Sequence, residues 1–357
     1  MLKEIGSNFW LSKGDKKNTN IDNTIFNVDY EDEVFTSSGR SAISLVLSDF
    51  EIQCKRALLP SFTCESVIVP FLQKGYHVEY YSVGNNLIID RDSFLKDIKN
   101  SDASVILIHN YFGFDTTSSI KEVITDLRKQ GIVVIEDITQ VLYSSFERLH
   151  ADYYVGSFRK WDGIPDGGFV LKANGRFRFK PEKEDTRLIE AKIDAMMAKY
   201  NYLFCGVGEK SVFLKKFSEA EELLEKQSTI YRMAEASYKE QANLNIDLLK
   251  AKRRSNYQYL LRNLNHKMVT PLFEHIADSV VPLYFPVLCG GARASLQVWL
   301  RDNHIFAPIV WPKPECILDA IRDTDYFYDN LLCIPCDQRY GQEEMEKVIS
   351  VIDKWDR

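Results

Sequence analysis

The chain has 357 residues, 45% of them hydrophobic and 27% charged, with a formal net charge of −6. An apolar fraction of that size can bury cores against the entropy of ordering, which excludes a disordered chain, and the length suits two domains. The acidic balance excludes recruitment of nucleic acid or an anionic membrane by an excess of positive charge, and the basic cluster Lys250, Lys252, Arg253, Arg254 reads as a solvated helix face. No apolar run approaches the ~20 residues that span a bilayer, since the best candidate, 280–289, is broken by Pro282 and Pro286. The start, MLKEIGSNFW, has no apolar segment followed by a cleavage pattern, so a cytoplasmic protein is expected. Seven scattered cysteines suit a reducing compartment. Cys333 and Cys336 form a CIPC without a second ligand pair or a thioredoxin-like context, so they are expected to be structural.

In chain order, residues 1–30 are polar and read as an arm. SGRSAISLVLSDF turns helical after Ser37 or Ser38 as the cap, ALLP (57–60) is a short strand, and SFTCESVIVPFLQKG is a helix stopped at Gly75. HVEYYSV is a strand, and Asp90 or Asp92 caps a helix over 92–99. SVILIHN and IVVIED are continuous apolar strands of the kind buried on both faces, with the amphipathic helix SSIKEVITDLRKQG between them. TQVLYSS is predicted to begin a further helix, and YYVGSF and GGFVLK are strands. Residues 184–262 read as charged helices. LFEHIADSVVPLYFPVL brings strand-like material, ARASLQVWLRDNHI a helix, APIVWP and LLCIPC strands, and QEEMEKVISVIDKW a closing helix. Strand–helix alternation predicts an α/β fold: a mainly parallel sheet in a large domain, residues 1–245, followed by a small α+β domain, residues 246–357.

The chemistry concentrates in GSFRKWDGIPDGG and the strand before it. Asp137 ends IVVIED, at the strand end where ligands bind in open parallel sheets, although a carboxylate there can also cap a helix. Gln140 follows it. Ser157 and Lys160 stand 20 and 23 residues after Asp137, ahead of Gly167 and Gly168. A lysine can form a Schiff base with an aldehyde cofactor, an aspartate can hold a protonated ring nitrogen, and a hydroxyl can take a phosphate. Trp161 could desolvate the lysine and depress its pKa. Gly39, Arg40 and Ser41 open the first helix, whose free N–H groups and dipole favour a phosphate as readily as an ordinary cap. His109, Tyr111, Arg159 and Trp161 are candidate walls of the site; Arg159 could instead be a salt-bridge partner.

At these residues the chain resembles the DegT/DnrJ/StrS-type aminotransferases, which are fold type I pyridoxal phosphate enzymes. The resemblance runs from about residue 34 to the end. SSGRSAISLVL is similar to the family's first phosphate-binding turn, LLPSFTCESV to its P-x-x-T segment, VILIHNYFG to its H-x-x-G strand end, VVIEDITQ to its "EDaaQ" strand, and GSFRKW with DGG to its serine–lysine–glycine block. Tyr231, Arg232 and Met233 resemble part of its N-Y-R-M element. The resemblance implies a seven-stranded sheet and pyridoxal 5'-phosphate bound covalently at Lys160. Asp137 would then lie on the ring nitrogen, Gln140 on the ring hydroxyl, and Ser157, Gly39, Arg40 and Ser41 on the phosphate. It also implies a homodimer with shared sites, a small-molecule amino donor such as glutamate, and a keto-sugar acceptor, nucleotide-linked, in polysaccharide or amino-sugar biosynthesis. Three positions depart from the family. Cys64 stands where an aromatic ring usually stacks on the cofactor, Ile230 replaces the asparagine of N-Y-R-M, and Lys160 lies two residues closer to its serine. These departures keep open a non-catalytic binding or regulatory protein on the same scaffold, or another pyridoxal phosphate-dependent lyase or transferase.

Overall fold

The computed structural model describes residues 4–11, 18, 20–317 and 324–356. In chain order the strands are β1 Ile5–Gly6, β2 Asp32–Thr36, β3 Arg56–Pro60, β4 His77–Tyr81, β5 Val105–His109, β6 Val133–Asp137, β7 Tyr153–Ser157, β8 Gly168–Lys172, β9 Thr270–Pro271, β10 Phe285–Leu288, β11 Ile305–Phe306 and β12 Leu331–Ile334. The helices are α1 Gly39–Asp49, α2 Glu65–Gln73, α3 Arg91–Ser101, α4 Lys121–Lys129, α5 Thr186–Tyr200, α6 Lys210–Glu225, α7 Glu235–Ala242, α8 Ile246–Asn263, α9 Arg293–Asp302, α10 Asp325–Asn330 and α11 Gln342–Asp353.

β2 to β8 form one seven-stranded sheet in the order β2-β8-β7-β6-β5-β3-β4. β8 runs antiparallel to both neighbours, and the remaining pairs are parallel. The apolar run of β5 explains why the sheet is covered on both sides. Ile106 and Ile108 enter one hydrophobic core while Val105 and Leu107 enter the other, as the two-residue period of a strand requires. Because β5, β6 and β7 are parallel neighbours, His109, Asp137 and Ser157 all finish at one edge of the sheet. α1 starts at that edge, where the Ser38 Oγ caps it by accepting from the Ser41 N–H at 3.1 Å. Asp90 caps α3 in the same way, accepting from the Ser93 N–H at 2.9 Å. A second, three-stranded antiparallel sheet, β12-β10-β9, belongs to the C-terminal part of the chain. α8 enters that part with Asn245 as its cap.

Five sequence expectations are corrected. TQVLYSS forms turns rather than a helix: Val141 and Ser144 make single i→i+3 bonds, and the Arg148 guanidinium takes the Val141 and Ser144 carbonyls that a helix would need. APIVWP is not a strand; the N–H groups missing at Pro308 and Pro312 break it, and the Pro308 carbonyl accepts from the Cys333 N–H at 3.1 Å. Within 272–288, only Phe285–Leu288 extends as a strand. The expected N-terminal arm is docked where it is described. β1 pairs in parallel with β11, and Ile5, Ile21, Ile25 and Phe26 are buried; residues 12–17 and 19 of that arm lie outside the described residues. The basic cluster is also not uniformly solvated. Arg253 is 1% exposed, and its guanidinium donates to the Trp161, Pro282 and Leu283 carbonyls.

Candidate active site

The floor of the site is built by strand ends. Asp137 sits opposite His109 on β5 and opposite Val155 on β7. Its Oδ1 accepts from the Thr139 N–H at 2.8 Å. Past β7 the chain makes one tight turn, Phe158–Lys160, which carries Lys160 back over the sheet edge. Lys160 is ringed by protein yet open to the cleft, and its Nζ makes no hydrogen bond among the described residues. Burial and then the neighbouring Arg159 push its pKa down, against the pull of Cys64, Glu221 and Asp137. Burial pushes Asp137 up, opposed by its Thr139 hydrogen bonds and by Lys160. Burial likewise pushes up the Cys64 thiol, which lies 2.9 Å from the Ser66 hydroxyl. Asp137, Cys64 and Lys160 therefore share one electrostatic environment. A lysine with a depressed pKa supplies the neutral amine that attacks an aldehyde.

Beside this floor, the two glycines let three segments meet. A Cβ on Gly168 would collide with the Ser38 carbonyl, and one on Gly39 would lie 3.5 Å from the Ser157 Cβ. Gly167, at a φ of 142° that favours glycine, donates its N–H to the Ser37 carbonyl at 3.0 Å. The start of α1, Ser157 and the glycine pair are thus packed together. The Tyr231 carbonyl holds the Ser37 N–H at 3.0 Å, so the Tyr231-Arg232-Met233 segment braces the same turn. Ser157 donates weakly to the Gly167 carbonyl at 3.3 Å, and Ser41 Oγ lies 3.0 Å from Ser38 Oγ. Arg40 Nε is buried with no partner among the described residues. The first N–H groups of α1 and its dipole make this an anion-binding concavity.

Gln140 is buried, and its Oε1 accepts from the Phe112 N–H at 2.6 Å, while its Nε2 makes no hydrogen bond among the described residues. His109 places Nε2 3.1 Å from Thr63 Oγ1, and its buried Nδ1 has no partner among the described residues. Burial pushes the His109 pKa down to about 3, so the ring is neutral.

Two candidate wall residues are corrected. Trp161 is 0% exposed; its Nε1 donates to the Thr139 carbonyl at 2.7 Å and its ring meets Tyr143 edge-on at 5.0 Å. Tyr111 is also 0% exposed, and its hydroxyl donates to the Phe62 carbonyl at 2.7 Å. Both support the floor from below and present no surface to a substrate. Arg159 lines the cleft, and its Nη2 makes the salt bridge of the alternative reading, to Glu221 Oε1 at 2.7 Å. Ile230, in place of the family's asparagine, packs against the core beside the sheet.

A cleft of about 560 Å³ opens above Lys160. Its walls include residues 6–9 from the N-terminus, Lys192 from α5, Glu221 from α6, and Asp337 and Arg339 from the loop after β12. Sequence reasoning missed these. For α5 a signal existed: Lys192 and Lys199 fall on the same buried stripe as Leu188, Ala195 and Met196, an uneconomical place for a lysine without a task. For residues 6–9 no local pattern announces a wall.

Known structures share this architecture. PseC from Helicobacter pylori, an aminotransferase involved in the biosynthesis of pseudoaminic acid, superposes with a TM-score of 0.71 at 14% identity, covering 99% of each chain. The sugar aminotransferase CalS13 from Micromonospora echinospora gives a TM-score of 0.62 at 17% identity, covering 90% of this chain and 87% of its own. NtdA from Bacillus subtilis, solved with bound cofactor PMP, gives 0.65 at 16% identity, covering 91% of this chain and 73% of its own. The fold is that of the fold type I pyridoxal phosphate-dependent aminotransferases. No protein-family model and no curated protein matches the sequence. Within this fold type I scaffold, Asp137 and Lys160 occupy the carboxyl edge of the parallel strands, where ligands of open α/β sheets bind. Among the described residues, no group of three or more His, Cys, Asp or Glu is placed to hold a metal, and no helix is long and apolar enough to cross a membrane.

Proposed function

We propose that this chain is a pyridoxal phosphate-dependent aminotransferase that moves an amino group from glutamate to a keto sugar, nucleotide-linked, in amino-sugar or surface-polysaccharide biosynthesis. It works in the cytoplasm as a homodimer with shared sites, its large cofactor-binding domain spanning residues 1–245 and its small domain 246–357. The observation that carries this reading is Lys160: an amine without a hydrogen bond among the described residues, its pKa depressed, within electrostatic reach of Asp137 at the sheet edge.

The donor set fits the cofactor. Gly39, Arg40, Ser41 and Ser157 surround an anion-binding helix start suited to its phosphate, Asp137 offers a carboxylate for a ring nitrogen, and Gln140 has a free amide donor for the ring hydroxyl. Cys64 and His109 would border the ring. Bound there, the cofactor supplies an electron sink for breaking a bond to the substrate's amine-bearing carbon. The chain supplies the rest. Lys160 would hold the cofactor through its aldehyde and would serve as the base that moves a proton at the substrate's amine-bearing carbon. Asp137 would face the protonated ring nitrogen and hold it in place. The buried residues Trp161 and Tyr111 fix the chain around Lys160. PseC and CalS13, described as an aminotransferase of a sugar pathway and a sugar aminotransferase, support the acceptor class, and the PMP in NtdA supports the cofactor.

Purified protein supplied with pyridoxal phosphate should absorb in the visible, and Lys160→Ala should not. Glutamate should bleach the wild-type band as pyridoxamine phosphate forms, which excludes the non-catalytic scaffold. A wild type that stays colourless after reconstitution overturns the reading.

A further inference from the structure

The α5–α6 hairpin carries no residue of the expected cofactor set, yet it sends two charged side chains into the cleft. Lys192 is a lysine on an apolar stripe, with 4% of its side chain exposed. Glu221 comes from α6 and is 48% exposed. A single oxygen, Glu221 Oε1, accepts from both Lys192 Nζ and Arg159 Nη2. Three elements thus converge: α5, α6 and the turn that bears Lys160. The cluster holds two cations against one carboxylate, so one positive charge is left over inside a concave, partly dried site. Arg159 spends one of its donors on Glu221, and its Nε and Nη1 make no hydrogen bond among the described residues. Those two groups keep N–H donors that an anion entering the cleft can take. The cluster is also within electrostatic reach of Lys160, since Arg159 and Glu221 both shift that lysine.

The group next to the reactive lysine must satisfy a particular substrate. An amino acid that delivers its amine at Lys160 brings a carboxylate only a few bonds away, and burying that carboxylate unpaired is costly. We propose that Arg159 and Lys192, bridged by Glu221, form a carboxylate-recognition site beside Lys160 that takes the carboxylate of the amino donor. The inference rests on the aminotransferase reading for the donor's identity, but the site itself is a property of three side chains. Glu221 is a positioning residue here: it holds the two cations side by side rather than touching the substrate. The charges support this arrangement. Against the upward push of burial, Arg159 and Lys192 hold Glu221 down to about 2, and burial with Arg159 brings Lys192 down to about 8, so both are ionised near neutral pH.

Anionic chemistry in the cleft could also come from the phosphates of a nucleotide-linked acceptor, so the test uses two probes. Glutarate, which has neither amine nor keto group, and UDP are titrated calorimetrically into the purified, cofactor-supplied protein. Wild type should bind glutarate. Lys192→Met and Arg159→Gln should each weaken glutarate at least about tenfold, the loss of one charge-assisted hydrogen bond, with UDP binding and melting temperature unchanged. Lys192→Arg should restore glutarate binding, which a merely structural lysine would not require. Equal glutarate affinity in wild type and both folded variants overturns the site. So does loss of UDP with glutarate retained, which would assign the cluster to the acceptor's phosphates. Lys160→Ala should keep glutarate binding while losing the visible band. A colourless wild type that still binds glutarate through Arg159 and Lys192 would therefore sink the aminotransferase reading and leave the carboxylate site standing.

Discussion

The strand-end floor, which reaches the cleft through Lys160, and the cleft walls are built by different rules. The floor residues Asp137, Ser157 and Lys160 lie within 24 residues of sequence on two adjacent parallel strands and the turn after them, so short-range geometry places them together. The walls are assembled from residues 6–9, 159, 192, 221 and 337–339, which no local geometry relates. They meet through long-range pairing. β1 docks on β11, and the Arg339 guanidinium pairs with Asp337 at 2.7 and 2.9 Å while donating to the Ser7 and Asn8 carbonyls. A floor of this kind can keep its chemistry while the walls vary, which is how one scaffold serves different substrates.

Mutations can break that contrast. The largest effect belongs to the floor: Lys160→Ala should lower transamination at least about 1,000-fold, as removal of a covalent catalyst does, with the melting temperature retained. A wall change of similar size should appear in stability instead. Arg339→Met leaves Asp337 buried without its partner, and should cost about 3–5 kcal/mol in denaturant unfolding. If Arg339→Met melts like wild type, the N-terminal wall is not held as described. Asp137→Asn should reduce turnover about 100- to 1,000-fold, the scale of losing one preorganised electrostatic contact, and should shift the visible band while leaving the fold intact. The smallest effect concerns pH and lies beneath the floor. Glu136 is fully buried, and burial pushes its pKa up to about 7 from near 4.5, although the Leu149 N–H and Asn110 reach its oxygens. A carboxyl whose folded pKa is raised gives its full stability below the unfolded value and loses it as pH rises toward the folded one. Wild type should therefore lose stability from pH 5 to pH 8 through this group, and Glu136→Gln should flatten that slope in thermal melts. An unchanged slope would show that Glu136 ionises without penalty.

How much of this was legible depended on the range of the interactions. The SVILIHN and IVVIED runs announced buried parallel strands because a strand covered on both faces needs apolar residues at every position. The caps at Asp90 and Ser38 were legible to within a residue or two because a side chain that accepts from an N–H three residues on acts locally. TQVLYSS misled because its composition suits a helix, while Arg148, from outside the segment, captures the carbonyls. APIVWP misled because apolarity was weighed above the two prolines. Trp161 and Tyr111 were legible as neighbours of the site, but only the packed structure shows that both are fully buried.

By itself, then, the sequence determined the α/β class and the order Asp137, Gln140, Ser157, Lys160, because periodic burial and strand-end spacing are properties of short stretches. Tertiary structure alone decided the walls: the docking of residues 5 and 6 on β11, and the convergence of Lys192, Glu221 and Arg159 beside Lys160. Those contacts join segments 29 to 300 residues apart, and nothing in a local pattern encodes a partner that only the folded chain brings within reach.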